Sequence, residues 1–151
     1  DWAKYPPLGR RSYSGGAHTA YGPSGHHATN MARANAGTLA IAQIETVAGV
    51  ERVEEILAVP GIDAAVVGPC DLAISMGYPD AVGCPEELAL IDRVRDACVA
   101  ARKGFGIIGG NALIGRYARD INLMVSAIDV HILRDAFADA ALDYQTIRAQ
   151  A

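Results

Sequence analysis

The chain has 151 residues, of which 51% are apolar and 20% are charged, a composition typical of one globular domain and not of a disordered chain. Its net charge is −4 and it has no lysine- or arginine-rich run, so we expect neither nucleic acid nor a membrane as a partner. An apolar run long enough for a membrane-spanning helix is also missing. Three cysteines without a CxxC pair do not fit a disulfide framework or a zinc site, and they indicate a reducing, cytoplasmic location.

The first 37 residues are rich in Gly, Pro, Ser and His and show no periodicity, so we predict that 1–37 is a loop region. Pro6 and Pro7 favour an extended segment, and only "NMARAN" suggests a short helical turn. We interpret the histidines of this region as exposed loop residues (His18, His26 and His27). The chain starts without Met and without an apolar signal core, which is typical of a fragment or a processed product.

From residue 38 to 151 the pattern alternates between apolar strands and amphipathic helices, and it predicts four βα units. The predicted strands are "TLAIAQIE", "DAAVVG", "FGIIGG" and "INLMVSAI". The predicted helices are "VAGVERVEEILAV" with Thr46 as N-cap, the short turn "DLAISMG", "PEELALIDRVRDACVAARKG" from Pro85 to Gly104, "ALIGRYARD" and "VHILRDAFADAALDYQTIRAQ". This order indicates an α/β fold with a parallel sheet, as a small doubly wound sheet or as part of a (β/α)8 barrel.

Two of the predicted strands end on polar side chains. Gln43 and Glu45 close the first strand, and Gly68-Pro69-Cys70-Asp71 follows the second. The carboxyl ends of parallel strands share the edge where ligands bind, and neighbouring strands lie roughly 5 Å apart. We therefore expect Glu45 and Asp71 to be able to hold one divalent cation.

Oxygen ligands of this kind suit Mg²⁺, while Mn²⁺ or Co²⁺ would tolerate them. Such a cation could chelate a 2-oxo acid and stabilise the enolate formed on carbon–carbon cleavage. Gln43 could contact a bound water or the substrate, and the backbone N–H groups after Gly68-Pro69 could bind a substrate carboxylate.

Other interpretations of the same residues stay open at this point. Asp71 could be the N-cap of the following helical turn, and Glu45 could be an acid in the first turn of a helix. Cys70 could be a nucleophile, although no histidine is matched to it as a base. His131 opens the last helix and is interpreted as structural.

The motifs "YPPLGRR", "IAQIET" and "GPCDLA", in this order, resemble those of the HpcH/HpaI aldolases, metal-dependent pyruvate aldolases that cleave 4-hydroxy-2-oxo acids into pyruvate and an aldehyde. The likeness extends over "GVERVEEILAVPGIDAAVVGP", "SMGYP" and "AIDVHIL". The resemblance implies a (β/α)8 TIM barrel, a divalent metal on Glu45 and Asp71, and substrate contacts from Gln43 and Cys70. It also implies a homo-oligomer, often with the last helix packed on a neighbouring subunit.

The resemblance begins before the fifth strand of the family's barrel, so it implies the C-terminal half of a barrel preceded by a long loop. The family's catalytic His and Arg belong to the other half, and no residue here matches them, so the catalytic residues stay unknown. Two alternatives follow. The chain could be a catalytically incomplete half-barrel that needs a partner half, or it could belong to the acyl-CoA lyase branch of the same superfamily, although "YPPLGRR" favours the aldolase branch.

Overall fold

A parallel four-stranded sheet forms the centre of the protein. The computed structural model describes residues 1–16, 21 and 25–150. The strands are paired in the order β1-β2-β3-β4, and every pair is parallel. Their bounds are Ile41–Ile44 (β1), Ala64–Val67 (β2), Gly104–Ile108 (β3) and Leu123–Val125 (β4). All four predicted strands are therefore present, and consecutive strands are neighbours in the sheet.

Seven helices lie before, between and after the strands in the described part of the chain. Their bounds are His27–Gly37 (α1), Val47–Glu51 (α2), Val53–Ala58 (α3), Pro69–Ser75 (α4), Pro85–Ala101 (α5), Asn111–Arg116 (α6) and Asp129–Ala149 (α7). The predicted βα alternation is confirmed. Among residues 1–16, 21 and 25–150, no helix combines the length and the apolar character needed to cross a membrane.

The core lies between the sheet and the helices α2, α3 and α5. All four residues of β2 are buried, as expected for a strand with apolar residues on both faces. Fully buried apolar side chains come from the strands and from the inner faces of these helices: Val50, Val53, Leu57, Ile91, Val94, Phe105 and Ile107. Burial of each such side chain stabilises the fold by about 1.5–3 kcal/mol.

Two helices differ from the prediction. The predicted helix after β1 begins as expected, because the Thr46 hydroxyl accepts a hydrogen bond from the Gly49 N–H at 3.0 Å. It is divided at Arg52, whose backbone (φ −110°, ψ 19°) leaves the helical region. The long helix ends before Gly104, because Arg102 adopts the left-handed conformation (φ 55°) and Gly104 already opens β3. The prediction that Gly104 ends α5 is therefore wrong.

The prediction of a loop over residues 1–37 is wrong for residues 27–37, which form α1. The helix is tied to the "YPPLGRR" segment by a reciprocal pair of hydrogen bonds between the Asn35 side chain and the Tyr5 backbone. Pro6 and Pro7 form a turn with a cis peptide bond between them, and not an extended segment.

Gly9 is the crowded point of this N-terminal segment. A Cβ atom at Gly9 would lie 2.4 Å from the carbonyl oxygens of Asp1 and Lys4, so only glycine fits there. Among the histidines predicted to lie in the loop, His27 begins α1 and packs edge-on against Tyr13, with ring centroids 5.1 Å apart. His26 is the N-cap residue of α1, and His18 lies outside the described residues.

A small polar network joins α5 to α6 beside the core. Tyr117 is buried and packs edge-on against Phe105. The guanidinium groups of Arg95 and Arg116 both lie over its ring, and both arginines pair with Asp92. Burial is the main cause that raises the pKa of Tyr117, while a hydrogen bond from Arg116 lowers it. The phenol therefore stays neutral at physiological pH.

Candidate active site

The carboxyl ends of β1 and β2 bring the predicted site residues to one edge of the sheet. The two strands are parallel neighbours in which Ile44 is paired with Val67. The Gly68 N–H continues this pairing beyond β2 by donating to the Ile44 carbonyl at 3.0 Å. Glu45 therefore leaves β1 at the level where Gly68 leaves the neighbouring strand β2.

The side chains of Gln43 and Glu45 lie together on this edge. The Gln43 amide Nε2 donates to Oε2 of Glu45 at 2.5 Å. Residues two apart on a strand project to the same face, which is why this contact forms. The contact fixes one oxygen of a half-buried carboxylate.

Gly68 leaves space for this pair. A Cβ atom at Gly68 would lie 3.2 Å from Oε2 of Glu45 and 3.3 Å from Nε2 of Gln43. The Glu45 carboxylate thus extends from β1 across to the end of β2, towards the segment that carries Asp71. A side chain at position 68 would have to displace it.

The local structure around α4 removes the capping explanation for Asp71. The N-cap of α4 is Gly68, which has no side chain, and Pro69 is the first helical residue. Asp71 lies in the first turn and is exposed, so it is not the cap.

Glu45 is likewise not an acid in the first turn of a helix. It precedes the N-cap Thr46, and α2 has no acidic residue in its first turn. The interpretation of Asp71 as an N-cap and that of Glu45 as a first-turn acid are therefore both wrong.

A cavity of about 520 Å³ opens at the same edge. Gln43, Gly68, Pro69, Cys70 and Asp71 all line it. The other lining residues include the last residues of β3 and β4 and those that follow them: Ile108, Gly109, Gly110, Val125, Ser126, Ala127 and Ile128. The structure thus brings five of the predicted site residues to one space. Glu45 does not line the cavity. Its carboxylate accepts a hydrogen bond from Gln43, and Gln43 does line the cavity.

The remaining wall of the cavity was not predicted. It consists of His131, Ile132 and Asp135 from the first two turns of α7. His131, interpreted from the sequence as structural, is exposed in this wall. His131 and Asp135 are four residues apart and share one face of α7, but nothing else in the sequence marks that face.

A larger groove of about 900 Å³ runs between α3 and α5. It is lined by alanines and by charged residues at its rim, and it contains none of the predicted site residues. The smaller cavity is therefore the candidate site, because the convergence of polar groups at the strand ends matters more than volume.

The ligand atoms at this edge suit a hard cation. Within residues 1–16, 21 and 25–150, no three His, Cys, Asp or Glu side chains converge as a metal-binding group. A cation held by two carboxylates, such as Glu45 and Asp71, would complete its coordination with oxygen atoms of water or substrate. This arrangement fits Mg²⁺, which is commonly bound by one or two carboxylates.

Cys70 and Cys98 differ in their surroundings. Cys70 is exposed in the cavity wall, whereas Cys98 is fully buried in the core. Burial raises the pKa of the Cys98 thiol, which keeps it protonated and unreactive. Cys84 has a structural part, because its sulfur accepts a hydrogen bond from the Glu87 N–H as the N-cap of α5.

A parallel βα sheet with polar groups gathered at its carboxyl edge is the architecture of an α/β enzyme. The sequence pattern of the HpcH/HpaI aldolase/citrate lyase family matches residues 3–122, and the chain belongs to this family. The family description groups aldolases with citrate lyases.

Curated relatives include the 2-keto-3-deoxy-L-rhamnonate aldolases of Salmonella paratyphi A and Salmonella typhimurium. Each is 30% identical to this chain over 153 aligned residues, which cover 97% of the chain and 55% of the relative. The chain thus spans about half the length of the curated relatives it matches.

Two solved structures are similar over the same extent. The HpcH/HpaI aldolase of Desulfitobacterium hafniense DCB-2 superposes with a TM-score of 0.78 at 29% identity, covering 95% of this chain and 56% of that one. An HpcH/HpaI aldolase/citrate lyase family protein of Burkholderia cenocepacia J2315 gives 0.76 at 31% identity, covering 95% and 57%.

Proposed function

We propose that this chain is the C-terminal half of a (β/α)8 barrel and carries the metal and pyruvate site of a class II aldolase. The whole enzyme would cleave 4-hydroxy-2-oxo acids into pyruvate and an aldehyde. The observation that supports the proposal is the close approach of the Glu45 side chain to Gly68 at the end of β2. There the carboxylate lies 3.2 Å from the Cβ position of Gly68 and beside the segment that bears Asp71.

Each of the proposed site residues has a distinct part. Glu45 and Asp71 would hold a divalent cation, Mg²⁺ or else Mn²⁺ or Co²⁺, which supplies Lewis-acid stabilisation of the charge that develops during cleavage. Gln43 holds the Glu45 carboxylate in place and lies in the cavity wall, where it can also contact the 2-oxo acid.

The backbone of α4 would bind the carboxylate of the same 2-oxo acid. Its N-cap Gly68 has no side chain that could cap the first turn, and Pro69 and Cys70 begin that turn. Peptide N–H groups at a helix start attract anions. The substrate carboxylate would therefore lie against the backbone at Cys70, next to Asp71.

A second candidate role is that of a half-barrel without activity of its own, which persists by pairing with another half or with a second copy. The four strands form an open sheet whose outer strand β4 exposes Met124 and Val125. The helix α7 likewise exposes Leu133 and Phe137. Association would cover this apolar surface and the sheet edges. Light scattering tests the idea, since a compact monomer would contradict it.

A third candidate stays within the enzymes. The acyl-CoA lyase branch of the superfamily also uses a Glu/Asp metal pair. The aldolase branch is favoured by the "YPPLGRR" segment, which is folded as a unit against α1 through the Tyr5–Asn35 hydrogen bonds.

The central experiment measures pyruvate release from a 4-hydroxy-2-oxo acid with Mg²⁺ or Mn²⁺ and then with EDTA. In parallel, Mn²⁺ binding is titrated for the chain and for Glu45→Gln, which keeps the size of the side chain but removes its charge. We expect Mn²⁺ affinity to fall at least about 100-fold, because a carboxylate ligand is lost. The matched control is Glu51→Gln, at an exposed position outside the cavity. This variant should bind Mn²⁺ as tightly as the unmodified chain. Unchanged Mn²⁺ binding in Glu45→Gln would refute the site.

A further inference from the structure

The backbone that bears Glu45 is hydrogen-bonded on both sides to the next βα unit. Before Glu45, the Ile44 carbonyl accepts a hydrogen bond from the Gly68 N–H at 3.0 Å. After it, the Val47 N–H donates to the hydroxyl oxygen of Ser75 at 3.1 Å. Val47 and Ser75 are 28 positions apart in the chain, so this second bond is a tertiary contact between α2 and α4.

The Ser75 hydroxyl serves a backbone group that α2 cannot satisfy by itself. Val47 is the first residue of α2, and the first N–H groups of a helix have no partner within it. The N-cap Thr46 does not supply one either, because its hydroxyl accepts from the Gly49 N–H. The start of α2 is therefore attached to α4 through the Ser75 hydroxyl.

The same helix bears the second proposed metal ligand. Asp71 and Ser75 are four residues apart on α4, so they share one face of that helix. Glu45 lies two residues before Val47 in the attached segment. A movement of α4 away from α2 would therefore change the separation of the two carboxylates. Ser75 does not line the cavity, so it would act on the site only through the backbone.

The freedom of two carboxylate ligands decides which cation they prefer. Mg²⁺ requires a nearly ideal octahedron with metal–oxygen distances of about 2.0–2.1 Å, whereas Ca²⁺ accepts irregular coordination at about 2.3–2.6 Å. Two ligands whose backbones are bonded to each other cannot separate freely, which favours the smaller cation. Ligands without this attachment could adapt to either cation.

We propose that Ser75 is a positioning residue that holds the segments of Glu45 and Asp71 together and so gives the site its preference for Mg²⁺ over Ca²⁺. Its hydroxyl contacts neither the cation nor the substrate, and it acts through the Val47 N–H. This inference rests on the proposed function, because it takes Glu45 and Asp71 as the metal ligands.

The test is a competition titration that gives the affinities for three cations. Free Mn²⁺ is measured by electron paramagnetic resonance, and Mg²⁺ or Ca²⁺ is then added to displace the bound Mn²⁺. In Ser75→Ala we expect the Mg²⁺ affinity to fall by about 3- to 10-fold, as for the loss of one hydrogen bond, and the Ca²⁺ affinity to change by less than about twofold. Ser75→Thr keeps the hydroxyl at an exposed position, so it should keep the ratio of Mg²⁺ to Ca²⁺ affinity.

Two controls separate positioning from a general loss of structure. Ser14→Ala makes the same chemical change at an exposed position outside the cavity and should alter neither affinity. Val53→Ala removes buried volume from the core at α3 and leaves the Val47–Ser75 bond in place. Urea unfolding should show that Val53→Ala is the less stable variant, and its ratio of Mg²⁺ to Ca²⁺ affinity should nevertheless be unchanged.

The outcomes distinguish the two proposals. If the unmodified chain binds no Mn²⁺, the proposed function fails. If it binds Mn²⁺ but Ser75→Ala keeps the ratio of Mg²⁺ to Ca²⁺ affinity, or Val53→Ala shifts that ratio as much as Ser75→Ala does, the positioning role of Ser75 is overturned while the metal site stands.

Discussion

Replacing Gly68 with alanine would bring a methyl group against the proposed metal ligand. The new Cβ would lie 3.2 Å from Oε2 of Glu45 and 3.3 Å from both the Cβ of Glu45 and the Nε2 of Gln43. The backbone at Gly68 (φ −100°, ψ 92°) is open to any residue, so the substitution does not strain the main chain. The crowding would therefore act on the carboxylate and its amide partner.

The expected effect is large on metal binding and small on folding. To restore ordinary contact distances the carboxylate must move by a few tenths of an ångström, whereas metal–ligand distances tolerate about 0.2 Å. We expect Mn²⁺ affinity to fall by about 10- to 100-fold, or about 1.4 to 2.8 kcal/mol. Folding should change by less than about 1 kcal/mol, because the loss of chain entropy in the unfolded state offsets the crowding.

Mn²⁺ titration and urea unfolding on the same samples separate these effects. Gly115→Ala is the matched control, because a Cβ there meets nothing within 4 Å, and in the helix α6 it should stabilise the fold by about 0.5–1 kcal/mol without altering metal binding. Normal Mn²⁺ affinity in Gly68→Ala would show that Glu45 is not a ligand in this orientation, and the reasoning from the close approach would be wrong.

Three more predictions concern the sheet, the buried phenol and the thiols. In Gly106→Ala the new Cβ would lie 2.8 Å from the Leu123 carbonyl oxygen, so β4 should be displaced. Urea unfolding should then show a loss of about 1–3 kcal/mol in the free energy of unfolding. An unchanged unfolding midpoint would contradict the pairing of β3 with β4. Because burial raises the pKa of Tyr117, its contribution to stability is full below about pH 10 and is lost as the pH rises towards the folded-state pKa. Tyr117→Phe should therefore show a smaller alkaline loss of unfolding free energy than the unmodified chain, and equal losses would exclude this origin. Iodoacetamide should label exposed Cys70 well before buried Cys98. Pyruvate with Mg²⁺ should slow the labelling of Cys70, as followed by peptide mass mapping. No protection of Cys70 would mean that the ligand binds elsewhere.

The sequence predicted the sheet well because its strands are short apolar runs with a helix after each one. Parallel strands in this pattern must bring their carboxyl ends to one edge. Gln43 and the segment from Gly68 to Asp71 could therefore be placed at the same edge from the sequence alone. The N-cap at Thr46 and the start of α5 at Pro85 also followed from local chemistry. These features depend on residues close to one another in the chain.

The features that were missed depend on distant residues. The helix α1 buries no side chain, and only "NMARAN" within it suggested a short helical turn. Asn35 ties the helix to Tyr5, 30 positions away. The division at Arg52 interrupts an apolar period that continues on both sides of it. The position of α7 beside the cavity depends on where β4 ends, so the place of His131 and Asp135 in the cavity wall could not be derived from the motif positions alone.

The order of the strands has a consequence for how the protein is made. Strand order equals chain order, so each strand pairs with the one synthesised just before it. Both proposed metal ligands belong to the first two βα units and precede Ser75. We therefore expect a nascent chain to bring Glu45 and Asp71 together before β3 and β4 leave the ribosome, so that a cation present during synthesis could bind to the growing sheet.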